Sequence, residues 1–122
     1  MAVTVTQRTP RTLGRANRVL ITGTTAQTML TVTPTVTQQC QATGYLVVQS
    51  AATTVTVTLG WTDPDTGTAE TYDWYNASNL AVGVYPLGAV AVMVRGGTPV
   101  TVSVTASAAN TVIASATVQE LR

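Results

Sequence analysis

From Gly44 onward, apolar and polar residues alternate with a period of two, the mark of strands whose two faces meet different surroundings. In residues 54–61, Val55, Val57, Leu59 and Trp61 share one face and threonines take the other, the half-buried pattern of an antiparallel sheet. Residues 100–105 repeat the alternation, and residues 111–120 supply a closing strand. Residues 45–48 and 89–94 are apolar on both faces, which predicts strands in the centre of a sandwich or against a partner.

Turn chemistry separates these runs. Asp63-Pro64-Asp65-Thr66-Gly67 joins a proline, whose ring presets φ, to a glycine that accepts positive φ, so residues 69–75 return as the second strand of a hairpin. Gly96-Gly97-Thr98-Pro99 and Ala108-Ala109-Asn110 turn the chain again, and residues 76–86 read as a longer connection. Upstream, Val19-Leu20-Ile21 is a short strand ended by Gly23, residues 29–33 form another ended by Pro34, and residues 35–43 fit an edge strand or a loop. Residues 1–18 carry Pro10, Gly14 and spaced arginines without apolar periodicity and read as an extended basic arm, able to reach about 60 Å when stretched. The expected fold is all-β: an antiparallel, jelly-roll-like β-sandwich over residues 19–122, preceded by that N-terminal arm.

Composition supports the class. At 122 residues the chain is long enough for one core, and about a fifth of it is threonine and about a sixth valine, both β-branched. Charged residues make up 9%, against roughly a quarter in ordinary soluble domains, so neutral hydroxyls must cover much of the surface, which favours association. The net charge of +1 conceals segregation: Arg8, Arg11, Arg15 and Arg18 lie in one stretch, and Asp63, Asp65, Glu70 and Asp73 in another.

The same composition removes reaction classes. Histidine and lysine are absent, which excludes Ser-His-Asp and Cys-His machinery and takes away the commonest nitrogen metal ligand. Asp63 and Asp65 flank a turn proline, and shaping that turn accounts for them better than a catalytic carboxylate pair does. With Gly67 and Glu70 they resemble a fragment of a calcium loop, but the full spacing is not met. No catalytic residue, metal site or cofactor is therefore expected, and the chain reads as non-enzymatic. Cys40 stands alone and can make no intrachain disulfide. No apolar run reaches the length of a membrane span, the N-terminus lacks the apolar stretch of an export signal, and the sequon Asn76-Ala77-Ser78 is read as chance.

Two groups remain as candidate contacts. Tyr72, Trp74 and Tyr75 gather aromatic surface on the predicted hairpin, suited to core packing, to an interface or to stacking on sugars; strict alternation puts Tyr72 and Trp74 on one face and Asp73 and Tyr75 on the other. Arg8, Arg11, Arg15 and Arg18 suit contacts to a neighbouring subunit more than nucleic acid, since four charges are few and no lysine supports them.

Together, a short Thr/Val/Ala-rich chain without Lys or His, a basic arm, and stretches such as Val55-Thr56-Val57-Thr58-Leu59, Gly96-Gly97-Thr98-Pro99-Val100-Thr101-Val102 and Ala108-Ala109-Asn110-Thr111-Val112 resemble the small β-sandwich structural proteins of tailed bacteriophages. The resemblance implies a virion component assembled in the host cytoplasm: a capsid decoration or cement protein, or a fibre or tail part. It also implies partners in the major capsid protein or other virion proteins, and a homo-oligomer, with a trimer favoured.

Overall fold

Alternation of valine and threonine becomes eight strands in a computed structural model that describes residues 10–121. They are β1 (Pro10–Leu20), β2 (Gln27–Val32), β3 (Gln38–Val48), β4 (Thr53–Thr62), β5 (Ala69–Leu80), β6 (Gly83–Val94), β7 (Val100–Ala106) and β8 (Val112–Leu121). Two four-stranded sheets result: sheet 1 in the order β1-β8-β3-β6 and sheet 2 in the order β2-β7-β4-β5. Every paired neighbour is antiparallel. Only the β4–β5 hairpin stays within one sheet; every other connection crosses between sheets, which is jelly-roll winding.

The core lies between the sheets. Val55, Val57 and Leu59 of β4 and Val100, Val102 and Val104 of β7 face Leu46 and Val48 of β3 and Val112, Ala114, Ala116 and Val118 of β8. Burying each valine or leucine contributes about 1.5–3 kcal/mol, so the period-two pattern holds the register: a slip of one residue would expose the whole set.

Three sequence expectations are corrected. First, residues 10–18 are not a detached arm, because they belong to β1, which pairs with β8 at the edge of sheet 1. The register shifts between Thr12 and Gly14 and between Ala16 and Val19, so two irregularities erase the alternation that would have marked a strand. A Cβ at Gly14 would run into Val32 of β2, so glycine there lets β1 lie close to sheet 2. Second, residues 76–86 are not a long connection: β5 runs to Leu80, Ala81 and Val82 make the turn, and β6 starts at Gly83. Pro86 sits within β6, which is an edge strand and tolerates a missing N–H donor. Third, most of the ambiguous 35–43 stretch belongs to β3, which has a partner on each side.

Pro10 pairs with Leu121, so both ends of the described chain lie at the same end of the sandwich as the connections over 33–37, 63–68 and 95–99. These connections are tied together: Gly97 N–H donates to the Pro34 carbonyl at 2.7 Å, Gly96 N–H to Thr37 Oγ1 at 3.0 Å, and Arg95 N–H to the Thr62 carbonyl at 3.1 Å.

Candidate assembly surface

The arginines of the N-terminal stretch take different roles. Arg8 lies outside the described residues. Arg11 is in register with Glu120, and its Nε stands 3.4 Å from Glu120 Oε1. Glu120 is almost fully buried, and Gln38 Nε2 donates to its Oε2 at 2.6 Å. Cys40 lies opposite Glu120 on the β3–β8 ladder, and burial, then the nearby carboxylate charge, push its thiol pKa up. One predicted contact arginine is thus engaged within its own chain.

Arg15 and Arg18 are exposed beside the outer face of sheet 1. Arg15 stands opposite Thr117, which points outward between the inward Ala116 and Val118. Arg18 has φ of 53° and donates its backbone N–H to Ser115 Oγ at 2.9 Å. Tyr45 faces Ser115 across the β3–β8 ladder. A hydrogen bond with Ser115, then a hydrogen bond from Arg18 and the charges of Arg18 and Arg15, hold the Tyr45 hydroxyl pKa below its usual value. Next to this basic group an apolar row crosses all four strands: Leu20 is opposite Ile113, Ile113 opposite Val47, and Val47 opposite Val84. The ends of the row stand in water, Leu20 at 40% and Val84 at 66% of full exposure.

Sheet 2 has a different outer face. Thr31, Thr101, Gly60 and Thr71 form one cross-strand row, and Thr28, Ser103, Thr58 and Asp73 form the next. Thr28 and Ser103 hydroxyls lie 3.3 Å apart, and Thr58 Oγ1 donates to Asp73 Oδ1 at 3.3 Å. Hydroxyls dominate this face, with Asp73 as the one charged group in the two rows.

The aromatic residues depart from strict alternation. Tyr75 is in register with Val57 and Tyr72 with Leu59, while Trp74 is the extra residue at a shift in the β4–β5 ladder. A bulge reverses the phase of the strand beyond it, so Tyr72 and Tyr75 share the inward side that a regular strand would have denied one of them. Trp74 Nε1 donates to the Gly88 carbonyl of β6, and Trp74 and Tyr75 pack against the core. Burial, then the neighbouring Tyr85, push the Tyr75 hydroxyl pKa up. Only Tyr72 keeps a broadly exposed ring, at 50%.

Asp63 Oδ2 accepts from the N–H groups of Asp65 and Thr66 at 3.1 and 2.8 Å and from Thr66 Oγ1 at 2.9 Å. Those bonds lower its pKa and occupy the carboxylate in shaping the turn. Among the described residues no group of three His, Cys, Asp or Glu side chains is placed to hold a metal ion.

Sequence reasoning passed over Glu120, Gln38, Tyr45 and Ser115. Glu120 carried a signal, since it continues the inward alternation of Ala114, Ala116 and Val118 and so falls on a buried face.

No protein-family model matches the chain, and no curated protein matches it. Solved structures of infectious bursal disease virus share its fold. A mutant VP2 in T=1 particles superposes with a TM-score of 0.62 at 14% identity, covering 94% of this chain and 32% of that one. The Gx strain structure gives a TM-score of 0.60 at 14% identity, covering 97% and 35%. The VP2 subviral particle gives 0.58 at 13%, covering 94% and 33%. The chain thus spans about a third of the length of these virus chains and has the β-sandwich fold of that third.

Proposed function

We propose that this chain is a non-enzymatic structural component of a virion, acting by presenting a rigid jelly roll whose outer faces bind neighbouring subunits. The observation that carries the reading is the apolar row Leu20–Ile113–Val47–Val84, which lies on a sheet face beside Arg15 and Arg18, with Val47 and Ile113 half-buried and Leu20 and Val84 exposed among the described residues. A soluble monomer gains nothing from such a row, whereas a subunit buries it on assembly. The likeness to virus-particle chains supports the same class. The particular role we favour is capsid decoration or cement on a bacteriophage head, in a homo-oligomer, with a fibre or tail part as the nearest variant.

The test is incorporation. Val84→Asp changes an exposed side chain, so it should leave the circular dichroism spectrum and thermal midpoint near wild type while excluding the protein from purified particles. Incorporation of the Val84→Asp variant at wild-type levels would overturn the reading. The arrangement gives less support to a glycan-binding module, because Trp74 and Tyr75 turn toward the core and leave Tyr72 alone as a stacking ring.

A further inference from the structure

We infer that two copies of this chain pack head to tail, the Arg15/Arg18 face of one against the Glu70–Tyr72–Asp73 edge of the next. This deepens the proposed role by naming a second copy as the partner, and rests on that reading only for its biological setting. Arg15 and Arg18 belong to β1, the edge of sheet 1, and Glu70 and Asp73 to β5, the edge of sheet 2. Because β1 packs beside β2 and β5 beside β6, the two charged groups occupy diagonally opposite edges of the sandwich, beyond reach of each other within one molecule. The salt bridge formed among the described residues joins Arg11 to Glu120 and involves none of these four. Each group also lies beside exposed apolar surface: Leu20 and its row beside the arginines, and Tyr72 on the same side of β5 as Glu70, with Asp73 on the other side of that edge strand.

Symmetry decides how such patches can meet. A two-fold contact pairs residue i with j and j with i, so it could join arginines to carboxylates only if both groups lay on one face, and on diagonally opposite edges they do not. Opposite patches on opposite edges pair only in a heterologous contact, which makes a ring if the rotation closes and a filament if it does not. There the guanidiniums meet carboxylates in bidentate geometry, and Tyr72 offers its ring face to an arginine or to the aliphatic row. Within the chain Asp73 accepts from Thr58 and Arg18 is hydrogen-bonded with Tyr45, neutral partners that leave these charged groups exposed.

Sedimentation velocity on the purified protein tests the contact. Wild type should associate at about 0.1 M salt and dissociate at about 1 M, where the Debye length falls from about 10 Å to about 3 Å. Arg15→Glu with Arg18→Glu, and separately Glu70→Arg with Asp73→Arg, should each weaken self-association by about a hundredfold, since like charges then face each other. An equimolar mixture of the two variants should associate like wild type, because the reversed face of one meets the reversed edge of the other and the two unreversed patches pair as before. Dimers of either variant alone at wild-type affinity, failure of the mixture to associate, or a wild type that is monomeric at low salt would overturn the inference. Circular dichroism checks that each variant is folded, and the particle assay above bears on the virion reading alone.

Discussion

Arg11 and Glu120 meet at 3.4 Å across the β1–β8 ladder, the first side chain 71% exposed and the second 2%. The cation stands mostly in water while the carboxylate lies in the core, where Gln38 supplies its buried donor. The two halves of the pair should therefore differ in weight. Glu120→Ala leaves a void and an amide without its acceptor and should cost about 2–4 kcal/mol. Arg11→Ala should cost about 1 kcal/mol or less, as exposed ion pairs do. Urea unfolding of both variants measures the difference, and equal losses would contradict this division.

Cys40 should make stability fall at alkaline pH. Its thiol pKa is raised in the folded state by burial first and by Glu120 second, so above about pH 8.5 the unfolded chain gives up this proton before the folded chain does. The folded state then holds more protons than the unfolded one, and the stabilisation present below the ordinary thiol pKa is lost as pH rises through the folded value. Comparing urea midpoints at pH 7 and pH 10 for wild type and Cys40→Ala isolates this contribution from the tyrosines. A pH dependence identical in both proteins would exclude it.

Asp63 carries the opposite sign. Hydrogen bonds from Thr66 and Asp65 lower its pKa, so its contribution is complete above about pH 4 and is lost as pH falls through the folded value. Asp63→Asn should shift the acid-unfolding midpoint to higher pH relative to wild type at matched ionic strength, and an unchanged midpoint would count against the turn's role.

Gly44 and Gly88 form a contrasting pair. A Cβ at Gly44 would strike the Ser115 carbonyl of the neighbouring strand, whereas one at Gly88 meets nothing within 4 Å. Gly44→Ala should cost about 1–3 kcal/mol through forced separation of β3 and β8, and Gly88→Ala should change stability little. Thermal unfolding of the two variants distinguishes them.

Trp74 anchors β5 to β6 through its bond to the Gly88 carbonyl. Trp74→Phe should lose about 1 kcal/mol for the missing donor, and Trp74→Ala about 2–3 kcal/mol as packing is lost as well. A Trp74→Ala variant as stable as wild type would mean the ring is free for an external ligand.

Legibility of the sequence followed how evenly each strand is buried. In β4 and β7 one face is core and the other water, so Val55, Val57, Val102 and Val104 announced themselves by alternation. β1 did not, because an edge strand with two register shifts carries no regular period. The bulge at Trp74 likewise broke a pattern that was read as continuous. Arg15 and Arg18 were visible as charges, but their neighbours Ser115 and Tyr45 come from strands distant in the chain. Glu120 could be placed inside from alternation, while Gln38 and Arg11 reach it only through tertiary register.

The pairing of Pro10 with Leu121 makes the described fold close to a ring. A short linker joining these two positions would close the path, and the polypeptide could then be opened at the exposed Ala108-Ala109 turn at the far end of the sandwich. Such a permuted molecule would keep both sheets while moving its attachment points to the opposite pole, so cargo fused there would project from the other side of any assembly the jelly roll builds.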